Sequence, residues 1–192
     1  MSWFVKVTDN GEFDGFYNNE IQRIPDGARP ISEEQYQTWL AAGGPHYHWP
    51  EGDDAPSIRP VSEEEKLGKA VTFKTTELKA KCAIAIVSGC PSDALGKTYI
   101  YPTTQTDTQN LGNSSLAALN AKINNVTDWK TPFWTFDPDE DVWAFRDHTA
   151  DQIIKVGEDV KAFIVGLQTH YSELLVQVNE ATSEAQVLAI QW

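Results

Sequence analysis

The chain has 192 residues, 41% of them hydrophobic and 22% charged, an ordinary composition for a globular protein of one large or two small domains. Its 15 Lys and Arg stand against 28 Asp and Glu, a net charge of −13, and so acidic a surface is repelled by nucleic-acid phosphates, which removes DNA and RNA from the expected partners. No apolar run approaches the roughly 18 residues that span a membrane. The opening Met1-Ser-Trp-Phe-Val also lacks the basic region and apolar run of a signal peptide, so a cytoplasmic location is expected.

Trp3 to Val7 is a short β-prone run, and Asp9-Asn10-Gly11 is a hairpin turn signal. Phe13, Phe16 and Tyr17 fall on the return strand, where such aromatics usually build a small core. After a second turn at Ile24-Pro-Asp-Gly27, Ser32 and Gln35 form a capping box with Ile31 as its staple. Tyr36, Trp39 and Leu40 follow at helical spacing, and Gly43-Gly44-Pro45 stops the helix. Residues 1–44 are therefore expected to form a hairpin plus one helix. Residues 45–60, rich in Pro, Gly and Asp, read as a linker, with Tyr47 and Trp49 as one further strand.

Ser62 and Glu65 open a helix whose apolar residues Leu67, Val71, Leu78 and Cys82 carry it to about Val87. Ser88-Gly89-Cys90-Pro91 breaks it, with Cys90 in the turn, and Thr98 to Pro102 is strand-like. Thr103 to Gly112 is polar and reads as loop, and Leu116, Leu119, Ile123 and Val126 predict a short helix. From Trp129 to Phe145 aromatics alternate with polar residues, which predicts a hairpin turning near Pro138 to Asp141.

The strongest signal runs from Thr149 to Asn179. Ile153, Val156, Val160, Phe163, Leu167, Tyr171, Leu174 and Val178 share one helical face, and Thr149 with Gln152 forms a capping box. A helix of roughly 30 residues is about 45 Å long. It needs an antiparallel partner in the same chain or a second chain, which leaves self-association open. Ser183 and Gln186 open a last helix toward Trp192. The sum is an α+β protein: a small β-rich module, the linker, and a mainly helical module over residues 61–192 with a long helix and an aromatic hairpin.

Motifs for chemistry are weak. Asp137-Pro-Asp139-Glu140-Asp141 opens like a calcium loop, but Val142 stands where that loop needs Gly and His148 where it needs Glu. His46 and His48 share a strand face at a metal-compatible spacing, yet two ligands need further chains to complete a site. A disulfide between Cys82 and Cys90 is open by spacing, against the reducing-compartment default. No nucleophile motif surrounds either cysteine, and there is no phosphate or dinucleotide loop. A non-enzyme without metal or cofactor is expected. The seven tryptophans divide between core and interface anchors, and Tyr47, Trp49, Trp129 and Trp134 are the candidate partner-binding residues.

Two stretches carry a resemblance. Phe16-Tyr17, Ile24-Pro25 and Ile31-Ser-Glu-Glu-Gln-Tyr36, followed by an aromatic Gly- and Pro-rich connection, resemble the opening of phage tail-fibre assembly proteins. Cys82 to Gly89, Leu95-Gly96, Tyr99-Ile-Tyr101, Asp107 to Leu111, His148-Thr149, Gln152, Ala185-Gln186 and Ile190-Gln-Trp192 resemble a domain common in tailed-phage and prophage genes that often follows such an opening. The resemblance implies a chaperone that binds the distal part of a trimeric tail fibre, of a phage or of a phage-tail-like bacteriocin, and promotes its folding and trimerisation. The alternative it leaves is a receptor-binding component retained at the fibre tip. It implies no catalytic residues.

Overall fold

A computed structural model describes residues 2–42, 47–49, 57–58 and 61–192, and the chain divides into two compact units, Met1–Lys66 and Leu67–Trp192. In the first unit, β1 (Trp3–Val7) pairs antiparallel with β2 (Phe13–Asn18) on one side and β3 (Arg29–Ile31) on the other. The Asn-Gly turn joins β1 and β2, with Gly11 at a φ of 79° donating to the Thr8 carbonyl. Helix α1 (Glu33–Ala42) starts on the expected box: Ser32 Oγ accepts from the Gln35 N–H, and Gln35 Oε1 accepts from the Ser32 N–H. Trp39 is fully enclosed with Val5, Val7, Ile31 and Trp49, and Trp3 stacks on Tyr36 at 3.6 Å.

The expected linker is in part a piece of this unit. Strands β4 (Tyr47–His48) and β5 (Ser57–Ile58) pair antiparallel, and the Trp49 N–H donates to the Gly11 carbonyl. Arg29 donates to the Trp49 carbonyl and lies over its ring. The indole supplies more apolar area than the short sheet can offer alone, which outweighs the Pro- and Gly-rich surroundings. The rest of 45–60 lies outside the described residues.

The second unit begins on helix α2 (Glu63–Val87), capped by Ser62 and Glu65 as expected. Strands β6 (Cys90–Ser92) and β7 (Tyr99–Tyr101) follow, then α3 (Gln105–Ile123), β8 (Lys130–Asp137), β9 (Val142–Thr149), α4 (Ala150–Glu180) and α5 (Glu184–Ala189). The four strands form an antiparallel sheet in the order β6-β7-β8-β9. The fold is α+β, with a long C-terminal helix as its spine.

Helix α4 covers its apolar stripe within the unit. Its first half, Ile153, Val156 and Val160, packs with Tyr101, Phe133, Leu111 and Ala118. Its second half, Leu174 and Val178, packs with Leu78 of α2 and with Val187 and Ile190. Cys82 meets the Leu167 carbonyl, while Leu78, earlier in α2, packs in the cluster of Leu174 and Val178, later in α4, so the two helices run antiparallel. Lys74 occupies the gap that the sequence leaves in the α2 stripe. It is buried and reaches Glu77 at 2.8 Å, and Lys74 and Lys81 together pull the Glu77 carboxyl down to about 2.

Several expectations are corrected here. Residues 105–112 are helix, not loop, because Thr104 and Asp107 form a capping box at the start of α3. Leu116, Leu119 and Ile123 of α3 are turned outward and Val126 lies past the end of the helix, each residue between 46% and 75% exposed. Its inward face is made of Leu111, Ser115, Ala118 and Ala121, small enough for close approach to Gly157 of α4, whose Cβ would lie 2.9 Å from Ser115 Oγ. Cys90 opens a strand instead of sitting in the turn. The last helix ends at Ala189, and only half of its expected box forms: Ser183 accepts from the Gln186 N–H, while the Gln186 side chain accepts from Thr182.

Gly89 makes the exit from α2 to β6. Its φ is +101°, and a Cβ there would lie 2.6 Å from Ile100 Cγ2. Gly89→Ala is therefore expected to destabilise the unit by about 1–3 kcal/mol, read as a lower urea midpoint with an unchanged slope.

Candidate interaction surface

Strands β8 and β9 form a ribbon of eight continuous pairs, from Lys130↔Thr149 to Asp137↔Val142. Successive side chains of a strand point to opposite faces. One face carries Phe133, Thr135 and Asp137 with Ala144, Arg146 and His148; the other carries Pro132, Trp134 and Phe136 with Trp143, Phe145 and Asp147. The first face is turned inward. A half-buried antiparallel ribbon normally puts apolar residues in and polar residues out. This one largely does the reverse.

The inward polar groups are fully engaged. His148 is completely buried, and its Nδ1 donates to the Arg146 carbonyl at 2.8 Å. That fixes the tautomer, so Nε2 accepts from the Tyr101 hydroxyl at 2.8 Å. Burial holds the imidazole pKa below its ordinary value and raises that of the Tyr101 phenol. Arg146 donates to both the Thr135 carbonyl and Oγ1, pairs with Asp137 at 3.5 Å, and lies over the Tyr99 ring. Lys97 binds Asp137 at 2.8 Å and Asp139 at 3.0 Å, and its hydrogen bond to Asp137 holds that carboxyl below its usual range. These bonds pin the ribbon from behind and fix which face looks out.

The outward face is an aromatic row. Phe145 pairs with Trp134 and Phe136 with Trp143, their centroids 4.9 and 5.2 Å apart. The two indoles lie within 11° of parallel at 6.1 Å. Trp134 and Trp143 are each 41% exposed and Phe145 is 68% exposed. Beside them a cleft of about 600 Å³ opens between Pro132, Trp134 and Phe145 on one side and Asp107, Asn110, Asn113 and Ser114 of α3 on the other. Exposed aromatics gathered in this way mark an interaction surface more often than scattered ones do.

Of the four residues expected to bind a partner, Trp134 stands on this row. Trp129 packs against the core beneath the sheet, and Trp49 is a core residue of the first unit, 8% exposed. The side chain of Tyr47 lies outside the described residues, as does His46. His48 donates from Nε2 to the Asn10 carbonyl. Trp143, Phe145 and Phe136, which the sequence marks as alternating hairpin aromatics and not as partner-binding residues, complete the row; the period-two alternation through 132–147 is the signal for them.

Both cysteines are free and buried, and burial pushes the Cys90 thiol up to about 11, away from thiolate character. Asp137, first of the calcium-like run, is taken up by Lys97 and Arg146. Among the described residues no group of three His, Cys, Asp or Glu is placed to hold a metal ion, and no helix is long and apolar enough to cross a membrane.

Compared with known proteins, residues 69–191 match a family described as Domain of unknown function (DUF4376). The chain belongs to the DUF4376 family. The matched stretch is nearly all of the second compact unit, so the sheet, the aromatic row and the long helix all fall within the DUF4376 domain. No curated protein and no solved structure matches the chain.

Proposed function

We propose that this DUF4376 protein is a tail-fibre assembly chaperone. It acts in the bacterial cytoplasm, binds the distal part of a trimeric fibre of a phage or phage-tail-like bacteriocin, and promotes its folding and trimerisation without catalysis. The observation that carries the reading is the inverted ribbon: aromatics outward, and a satisfied Asp137–Arg146–His148 set inward. Holding four aromatics toward water costs solvation, and the ribbon is built to keep them there. Fibre chains that intertwine expose apolar edges until assembly is complete. A row of rings on a highly acidic carrier covers such edges and keeps the complex dispersed. The resemblance of the N-terminal residues to tail-fibre assembly proteins supports the same reading.

Co-expression with the neighbouring fibre gene, followed by size-exclusion chromatography with light scattering, tests it. Soluble trimeric fibre is expected only when this chain is present. Equal yields of trimer without it remove the folding role. The near-parallel Trp134 and Trp143 rings favour a second reading, a fibre-tip component that stacks sugars on its aromatics. That reading requires the chain in purified mature particles, whereas the chaperone is absent from them.

A further inference from the structure

Strand β9 is the last strand of its sheet, and among the described residues no strand pairs with its free edge. Natural sheets blunt such edges with proline, lysine, inward-pointing charges, bulges or a short edge strand. Of these β9 has only the inward-turned Arg146, which is paired with Asp137. Its sequence, VWAFRDHT, is eight residues long without Pro or Lys, and its register with β8 runs through eight pairs without a bulge. The one basic side chain, Arg146, is turned inward onto Thr135 and Asp137. Every second residue of the edge turns its backbone N–H and C=O outward along about 27 Å at 3.4 Å per residue, with the Arg146 carbonyl already taken by His148 Nδ1.

Charge selects the occupant. Asp139, Glu140 and Asp141 stand exposed at the hairpin tip, Asp147 is exposed on the outward face, and Asp107 lines the cleft. Lys97 is committed to Asp137 and Asp139. A second copy of this chain would bring the same acidic rim and its net charge of −13 to the edge, so self-pairing is opposed. A cationic strand is favoured by the rim, and its guanidinium or ammonium groups fit the face of Trp143 on β9.

We propose that the free edge of β9 receives an extended segment of the partner, in which Lys or Arg alternates with apolar residues, as an added strand of the sheet. Backbone bonds to β9 supply the pairing. The segment's outward side chains lie beside Phe145 and Trp143, and those on the other face continue the covered side. This inference rests on the chaperone reading, naming what that surface grips.

The test uses the full chain and three labelled synthetic peptides of β9's length. One alternates Arg and Val, one has Glu in place of Arg, and one is the Arg peptide with alternate amides N-methylated along one edge. Affinity is read by fluorescence anisotropy, and amide hydrogen exchange is followed over residues 142–149. The Arg peptide is expected to bind at least about tenfold more tightly than either control, a preference set by charge and by backbone pairing together. It is also expected to slow exchange in β9. Equal binding of all three, no binding, or binding that leaves 142–149 unprotected overturns the edge proposal. So does a concentration-dependent dimer with β9 already protected. No fibre is present in this assay, so its failure leaves the co-expression result standing on its own.

Discussion

The double substitution Trp134→Ala with Phe145→Ala is expected to abolish detectable fibre binding while leaving the fold intact. Both side chains are on the outward face, pair with each other across the ribbon, and take no part in the buried clusters. Exposed substitutions away from caps and cores usually change stability by within about 0.5 kcal/mol each. Central aromatic anchors of an interface cost about 2 kcal/mol or more when truncated, so two of them weaken binding on the order of several hundredfold or more. The thermal unfolding midpoint should stay close to wild type, and co-purification of the fibre should be lost. A variant that still rescues the fibre to wild-type yield places the partner elsewhere. As a control on the same chain, Leu116→Ala with Ile123→Ala removes exposed apolar area from α3 and should leave rescue unchanged.

The second large effect concerns His148. In the folded unit its Nε2 accepts from Tyr101, which only a neutral ring does, and burial opposes the charged form. Its folded pKa therefore lies below the unfolded value of about 6.5. Above that pH both states are neutral at this residue, and the contribution is fully present. As the pH falls below it, the unfolded chain takes up a proton that the folded chain refuses. Stability then drops by up to about 1.4 kcal/mol per pH unit until the folded pKa is reached. His148→Gln removes this dependence and leaves the Tyr101 hydroxyl or the Arg146 carbonyl poorly matched, at a cost of about 1–3 kcal/mol near neutral pH. Urea unfolding of both proteins at about pH 7.5 and 5.5 checks it. The gap between them should narrow at the lower pH, because wild type alone carries the His148 slope. His46, His48 and His170 are common to both chains and cancel in the difference.

The two predictions are connected. The buried set ties the ribbon to β7 and Lys97, and the ribbon's orientation presents the aromatics. A protein weakened at His148 should lose partner binding in step with folding, while one changed at Trp134 and Phe145 loses binding alone.

Most of the framework was legible in the sequence. The α4 stripe is long and regular, and four Ser or Thr caps with Glu or Gln three residues later marked helix starts. The Asn-Gly turn and the alternation after Trp129 marked the hairpins. Other features were hidden for identifiable reasons. The start of α3 was missed because its first turns are polar, although Thr104 and Asp107 carry the same capping logic with an Asp at the third position. Its buried face is hidden because small residues make the closest helix contact, whereas apolar periodicity is carried by the large ones. Lys74 sits in an apolar stripe because Glu77 is one turn away.

The site itself was half visible. Alternation showed that the hairpin has two faces, but Phe133 and Trp134 are both aromatic, and only α4 decides which parity is buried. The inward set of Asp137, Arg146 and His148 is polar, so residue type alone points the wrong way. Trp49 misled for the opposite reason: a Pro- and Gly-rich neighbourhood reads as linker, while the indole fills the core above Gly11 and Trp39.

Amide hydrogen exchange on the purified complex with the fibre protein tests the central claim most directly. The account predicts slowed exchange over residues 132–149 relative to the free chain, centred on Trp134 and Phe145. Protection confined to other parts of the chain, with 132–149 exchanging as in the free protein, contradicts it.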